Sequence, residues 1–409
     1  MADAVFYFVV LVIIYVLVRI LHSNSNAEKP KLYYRDSKLV REIIKMCPAM
    51  TDLYTPTLLW GKSGHLQTFV YAKLGRVQPP FLRGFRRSVM MSDGATCTFD
   101  VFEPEQPHQT QDDYTICIAP GIANSSESKY IRTFVNCACN HGYRVGVLNH
   151  LGALKNVPLT SPRIFTWGET DEYNAMVTYF EERHPTTRFI AIGFSMGGNI
   201  VLKYLGEDVT RQEKFVCGVS LCQGYDISFG VEAMHQWEKL RRIYNFLMTE
   251  NQKSVIKRNR DMLFGSGAKL YYQREGKKPT EYDLDKVFEA TSLVHIDEHF
   301  TRKMAGYNSL EEFFCTCSSK FYIPNIEIPL MILNAEDDPL IPNAVFDIPK
   351  KHVETVNNSI FVVTKHGGHL GFFEGGVVRP NPVTWLDRMV VEYVDAIIDV
   401  TQRNEELSD

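Results

Sequence analysis

Short apolar runs rich in β-branched residues recur along the chain, each followed by an amphipathic stretch. The runs lie at residues 114–119, 144–149, 189–192, 215–221, 330–333 and 360–363, and they predict buried strands. Residues 131–140, 171–182 and 199–205 repeat apolar positions at the three- and four-residue spacing of helices packed on one face. This alternation predicts an α/β fold with a mostly parallel central sheet and helices on both faces.

The amino-terminal end of the chain carries a separate apolar run. Residues 4–18 read AVFYFVVLVIIYVLV without a charge, and Ile20 and Leu21 extend the run beyond Arg19. A spanning helix needs about 20 apolar residues, and Asp3 has the wrong charge for the start of a secretory signal. We therefore predict a retained single-pass transmembrane anchor at 4–21, in the plasma membrane or endoplasmic reticulum, over a cleaved signal or a buried helix.

The side of the membrane that the body faces stays open at this stage. The basic residues that follow the run are Arg19, Lys29, Lys31 and Arg35. By the positive-inside bias they favour a cytoplasmic body. Asn124 and Asn357 each begin an Asn-x-Ser triplet, and these candidate glycosylation sites would have a use only on the opposite side.

The rest of the chain divides into a core with one long interruption. Residues 22–90 are interpreted as an N-terminal extension, and 91–222 and 329–402 as the two parts of the α/β core. Residues 223–328 are far too long for a loop and carry aromatic helical patches, which predicts a helical cap. The net charge of −4 argues against a nucleic-acid partner.

A serine lies between two glycines at the end of a predicted strand. Gly193-Phe194-Ser195-Met196-Gly197 follows the strand at 189–192 and opens the helix at 199–205, which is the context that a nucleophile turn requires. Ser195 is therefore the candidate nucleophile. Oxyanion donors would be the backbone N–H of Met196 and that of Ile122, which follows the strand at 114–119.

An acid and a base follow in the chain order Ser, Asp, His that this arrangement uses. Asp338 lies just past the strand at 330–333 and before a proline, which favours it over its neighbours Glu336 and Asp337. His369 lies between Gly368 and Gly371 on the loop after the strand at 360–363. That loop makes His369 the preferred base, with His366 as the rival.

Several motifs together resemble one group of known enzymes. They are Gly-His-Leu-Gln-Thr at 64–68, Asn-His-Leu-Gly-Ala at 149–153, the serine turn at 193–199 and the histidine loop at 367–372. The chain resembles the membrane-bound acylglycerol-lipase and esterase group of the α/β hydrolases. The resemblance implies the α/β-hydrolase fold and a triad of Ser195, Asp338 and His369. It also implies a lipid ester substrate, in particular a monoacylglycerol, and no metal, organic cofactor or protein partner.

Two alternatives to ester hydrolysis stay open. His108 and Asp113 have the His-x-x-x-x-Asp spacing found in some acyltransferases, although the polar stretch around them predicts a solvated loop. Acyl transfer could also use the predicted triad itself. The second alternative is a membrane protein that senses lipid without catalysing a reaction.

Overall fold

The computed structural model describes residues 25–74 and 82–406, together with residues 6–7, 10–12, 15 and 21. Most of the predicted transmembrane anchor at 4–21 therefore lies outside the described residues. In the described part of the chain, no helix combines the length and apolar character needed to cross a membrane. The anchor stays a prediction from the sequence.

The strands of the described chain form one nine-stranded sheet. They are β1 (Lys31–Tyr33), β2 (Phe85–Met90), β3 (Thr96–Phe102), β4 (Tyr114–Ala119), β5 (Arg144–Asn149), β6 (Arg188–Phe194), β7 (Phe215–Leu221), β8 (Leu330–Ala335) and β9 (Ser359–Thr364). Their spatial order is β1-β9-β8-β7-β6-β4-β5-β3-β2. The strands from β9 to β5 are mutually parallel, while β1, β2 and β3 pair antiparallel at the two ends. The predicted α/β fold with a mostly parallel sheet is confirmed.

Helices cover the sheet and fill the interval between β7 and β8. The helices before the interval are α1 (Lys38–Met46), α2 (Pro48–Thr51), α3 (Gly64–Phe69), α4 (Lys129–Asn140), α5 (Asp171–Arg183) and α6 (Met196–Glu207). Within it lie α7 (Ile227–Ala233), α8 (Arg241–Arg258), α9 (Arg260–Phe264), α10 (Ser266–Glu275), α11 (Leu284–Glu289), α12 (Leu293–Ile296), α13 (Arg302–Met304) and α14 (Leu310–Cys317). A π-helical stretch, Asp297–Thr301, joins α12 to α13. After β8 come α15 (Asp347–Thr355) and α16 (Trp385–Glu406).

The core has two layers because successive strand residues point to opposite faces of the sheet. In β4, Ile116 and Ile118 pack among residues of α1, α4 and α16, whereas Cys117 and Ala119 pack among residues of α5 and α6. Burial on both faces explains why these strands are continuous apolar runs rather than alternating ones.

The segment at 22–90 contributes β1 and β2 to the two edges of the sheet. The side chains of β2 are mostly exposed, and β1 has only three residues. Neither strand therefore carries an apolar run.

The carboxyl ends of β4, β6, β8 and β9 lie together on one side of the sheet, and the candidate residues follow directly after these strand ends.

Candidate active site

Ser195 occupies the sharp turn between β6 and α6. Its backbone has a φ of 54°, a strained conformation for a residue with a side chain. A Cβ on Gly193 would lie 2.2 Å from the carbonyl oxygen of Gly197, and one on Gly197 would lie 1.9 Å from that of Ala119. The glycines are therefore required by close backbone approach, and the turn lifts the serine hydroxyl above the strand end.

His369 lies between the serine and an aspartate. Its Nε2 is 2.8 Å from Ser195 Oγ, and its Nδ1 is 2.8 Å from Asp338 Oδ2. The other oxygen of Asp338 accepts the N–H groups of Leu340 and Ile341, at 2.7 and 3.1 Å. With Nδ1 protonated, His369 donates to the fully buried carboxylate and leaves Nε2 free to accept the serine proton.

The neighbouring candidates have other contacts. Asp337 Oδ1 accepts the N–H of Gly368 at 2.8 Å and so holds the histidine loop. Glu336 pairs with Lys31 of β1 at 2.7 Å. His366 Nε2 lies 2.9 Å from Ser25 Oγ, and its Nδ1 lies 3.6 Å from Asp337. Among the residues considered as acid or base, His369 contacts Ser195, and Asp338 contacts His369.

The two predicted oxyanion donors lie beside the serine. A Cβ on Gly121 would be 3.6 Å from Ser195 Cβ, and the Gly121 N–H donates to the hydroxyl of Tyr130 at 2.8 Å. Ile122, the next residue, lines the same pocket as Ser195 and Met196. Met196 begins α6, where a helical amide has no carbonyl four residues earlier within the helix.

A buried histidine supports the strand end below this loop. His150 Nε2 lies 2.9 Å from the carbonyl oxygen of Pro120, which accepts its hydrogen bond. Burial lowers the pKa of His150 to about 4, so the ring is neutral at physiological pH. His150 of the Asn-His-Leu-Gly-Ala motif is thus a neutral donor that holds the backbone of Pro120, two residues before Ile122.

Helix α3, which carries the Gly-His-Leu-Gln-Thr motif, contacts both triad loops. Thr68 Oγ1 accepts the N–H of His369 at 2.9 Å, and Gln67 Oε1 accepts the N–H of Phe373 at 2.9 Å. A Cβ on Gly64 would lie 2.1 Å from the carbonyl oxygen of Asp337. The motif residues therefore position the base and acid loops. In the sequence their only signal is the motif itself, which does not reveal this positioning role.

The helical region also contacts the acid turn through a lysine that the sequence analysis did not single out. Lys239 Nζ donates to the carbonyl oxygens of Glu336 and Asp338, at 2.6 and 3.2 Å. Burial lowers the pKa of Lys239. Beside it, the Tyr244 hydroxyl lies 2.9 Å from Nδ1 of His65 in α3. No local sequence pattern predicts these contacts, because they join segments far apart in the chain.

An apolar pocket opens from Ser195 toward the helices between β7 and β8. It encloses about 850 Å³ including its open mouth. Its walls are formed by residues of the α/β core and of the helices between β7 and β8. Among them are Ile122, Trp167, Met234, Met248, Leu293 and Ile341. A pocket with this mainly apolar lining fits an apolar ligand rather than a charged one.

The remaining sequence candidates lie away from this arrangement. His108 Nε2 lies 3.6 Å from Asp395, and Asp113 accepts from Arg144 at 2.7 Å, so the two residues have separate partners. Both precede β4, at the edge of the sheet opposite Ser195. The prediction of a solvated loop is wrong for His108, whose ring is buried against Tyr114 and Tyr143. Asn124 uses its amide to donate to the Ile122 carbonyl at 2.8 Å, while Asn357 is exposed.

Among the described residues, no cluster of three or more His, Cys, Asp or Glu side chains could hold a metal ion. The site described above brings together a serine, a histidine, an aspartate and backbone amides. This arrangement can perform acyl transfer through a covalent intermediate.

A sequence model of the alpha/beta hydrolase fold matches residues 114–376. The chain belongs to the α/β-hydrolase family. It is 49% identical over 397 residues to monoacylglycerol lipase ABHD2 of Homo sapiens, covering 97% of this chain and 92% of the relative. It is 42% identical over 388 residues to abhydrolase domain-containing protein 2 of Drosophila melanogaster, covering 95% of each. Phospholipase ABHD3 of Mus musculus is 27% identical over 385 residues, covering 92% of this chain and 86% of the relative.

Proposed function

We propose that the protein is a serine hydrolase that cleaves carboxylic esters of lipids, with monoacylglycerol as the principal substrate. The observation that carries the proposal is the position of His369 between Ser195 Oγ and Asp338 Oδ2, at 2.8 Å from each. A histidine in this position can take the serine proton while the carboxylate stabilises the resulting imidazolium.

The reaction proceeds in two halves. Ser195 Oγ attacks the ester carbonyl carbon as its proton passes to His369 Nε2, and the carbonyl electrons move to an oxygen held by the N–H groups of Ile122 and Met196. Collapse expels the alcohol oxygen, which takes the proton from Nε2. Water then attacks the acyl-enzyme, giving its proton to Nε2. In the second collapse the bond from carbon to Ser195 Oγ breaks and Oγ takes the proton from Nε2, which releases the fatty acid and restores the serine and the neutral histidine.

Two observations support a lipid as the acyl donor. The pocket beside Ser195 is lined mainly by apolar side chains, which suits a hydrocarbon chain. The relative that shares 49% identity over 97% of this chain is named a monoacylglycerol lipase. We propose glycerol as the leaving alcohol on the strength of that similarity.

We also propose that residues 4–21 anchor the protein in a membrane, where such substrates reside. The side that the body faces can be tested at Asn357, which is exposed. A glycosidase-sensitive mass shift that is lost in Asn357→Gln would place the body on the lumenal or extracellular side. Protease accessibility of the body in sealed cytoplasm-side-out vesicles, without a glycan, would place it in the cytoplasm.

Product analysis tests the catalytic proposal. Purified full-length protein is given a monoacylglycerol, with and without a lysophospholipid as acyl acceptor, beside Ser195→Ala. Release of free fatty acid that the variant loses supports hydrolysis. Transfer of the acyl group to the acceptor, in preference to water, would favour the acyltransferase alternative. Binding of the lipid without turnover in the unmodified protein would favour the sensor alternative.

A further inference from the structure

The amino-terminal part of helix α8 buries polar side chains and exposes apolar ones, the reverse of a helix at a water-exposed surface. Its buried polar side chains include Arg241, Asn245, Thr249 and Gln252. Its exposed apolar side chains include Ile243 and Leu247, at 45% and 52% exposure, and Trp237 and Leu240 before the helix are exposed at 64% and 47%. A helix of a soluble protein normally shows its polar side to water. The outer side of this amino-terminal part, with Ile243, Phe246 and Leu247, therefore fits an apolar medium, whereas the last turns of α8 expose Lys257 and Arg258 to water.

A second group of exposed apolar side chains lies on α3 and on two loops of the body. It consists of Leu58, Leu59, Phe69, Val377 and Val378. The backbone N–H of Leu59 donates to the carbonyl oxygen of Val377 at 3.0 Å, so the two loops lie side by side. The two groups meet through His65 of α3 and Tyr244 of α8, whose rings stack at 5.9 Å. We call the two groups together the apolar band.

The inner side of α8 belongs to the pocket that contains Ser195. Asn245 and Met248 of the helix line that pocket. Helix α8 therefore lies between the pocket and the first group of the apolar band.

The amino-terminal segment meets the body beside the loops that carry Leu58 and Val377, because Glu28 bridges to Tyr54 and Pro56 bridges to Glu374. Ser25 lies 2.9 Å from His366, three residues before His369, and Glu28 pairs with Lys365. Only residues 22–24 separate Ser25 from Leu21, the end of the apolar run. Four residue steps span at most about 14 Å, so a membrane that holds the run must lie close to the His366–His369 loop.

From these observations we propose that the apolar band is a docking surface for a lipid bilayer. The band would insert Trp237, Ile243 and Leu247 among lipid head groups and acyl chains, and lipid would enter the pocket directly from the membrane. A bilayer is the occupant, rather than a second copy of the chain, because Ser25, four residues after the end of the predicted anchor, lies against the body beside the band. The docking surface does not depend on the proposed catalysis.

Depth-dependent fluorescence quenching tests the contact itself. Full-length protein is reconstituted into phosphatidylcholine vesicles with or without brominated acyl chains, beside Trp237→Phe. The difference between the two proteins isolates the emission of Trp237. We expect brominated lipid to quench that emission strongly. Emission from Trp237 that is equally intense in both kinds of vesicle would overturn the proposal.

An activity comparison tests its consequence. Ile243→Ser/Leu247→Ser is compared with Val209→Ser/Leu270→Ser, which changes exposed apolar residues outside the band. Turnover of vesicle-embedded monoacylglycerol should fall roughly ten-fold in the band variant only, from the lost burial of two aliphatic side chains. Turnover of a water-soluble short-chain ester should stay within about two-fold in both variants, because no pocket residue is changed.

Equal losses on both substrates in the band variant would overturn the proposal. So would concentration-dependent self-association that Ile243→Ser/Leu247→Ser abolishes, because the band would then be an interface between two copies. If neither ester is hydrolysed by the unmodified protein, the proposed catalysis fails, and the quenching of Trp237 still decides whether the band docks on lipid.

Discussion

Asp297 links the helices between β7 and β8 to the body, and its burial makes the free energy of unfolding depend on pH. Its carboxylate accepts the indole N–H of Trp167 at 2.9 Å, and Trp167 in turn lines the pocket. Complete burial raises the pKa of Asp297 from 3.8 to about 7. The fold therefore favours the neutral carboxyl group. Its stabilising contribution is complete below about pH 4 and is lost as the pH rises through about 7.

The magnitude follows from the pKa difference between the folded and unfolded chain. A shift of about three pH units at about 1.4 kcal/mol each corresponds to up to about 4 kcal/mol. Asp297→Asn stays neutral at every pH and keeps an oxygen that can accept from Trp167. The unfolding free energy of the variant, relative to the unmodified protein, should therefore rise by this amount between pH 4 and pH 9.

Denaturant unfolding of both proteins at several pH values between 4 and 9, followed by tryptophan fluorescence, measures this difference. Asp285→Asn, which changes an exposed carboxylate of the same helical region, is the matched control and should show no such trend. Parallel pH profiles for Asp297→Asn and the unmodified protein would refute the argument. They would mean that Asp297 is ionised in the folded protein or reached by water.

Three further predictions concern the support of the triad. Lys239→Met removes two hydrogen bonds to the turn that carries Asp338 and should lower kcat on the order of ten-fold with little change in KM. Lys239→Arg should recover part of the loss. An unchanged kcat in Lys239→Met would show that these hydrogen bonds do not position Asp338. Thr68→Val removes the acceptor of the His369 N–H and should lower kcat by a similar factor, whereas Thr68→Ser should not, and equal activities would contradict this role. Gly197→Ala should abolish activity and lower the thermal midpoint, because its methyl group would lie 1.9 Å from a β4 carbonyl oxygen; an active, stable variant would count against the close approach.

The strands and the nucleophile turn were accessible from sequence because their signals are local. Buried parallel strands must be apolar on both faces, so β4, β5 and β7 stand out at their full lengths. The spacing of glycines around Ser195 follows from backbone contacts within a few residues. The acid and base could be narrowed to short segments because they must follow strand ends at one edge of the sheet.

Other features depend on contacts between distant segments, which a single sequence does not encode locally. The edge strands β1 and β2 are short or exposed and carry no apolar run. The contact of Lys239 with the acid turn joins positions about a hundred residues apart, with a separation of 97 to Glu336. The choice between Asp337 and Asp338 is made by side-chain direction, since both follow β8 and both bind the histidine loop.

Covalent labelling tests the central claim, that Ser195 is an activated nucleophile, most directly. Full-length protein is treated with a fluorophosphonate, digested and examined by mass spectrometry, beside Ser195→Ala and Asp338→Asn. We expect a single adduct on the peptide containing Ser195, absent from Ser195→Ala and formed far more slowly by Asp338→Asn, whose histidine loses its orienting carboxylate. An adduct on another residue, or undiminished labelling of Ser195→Ala, would contradict the account.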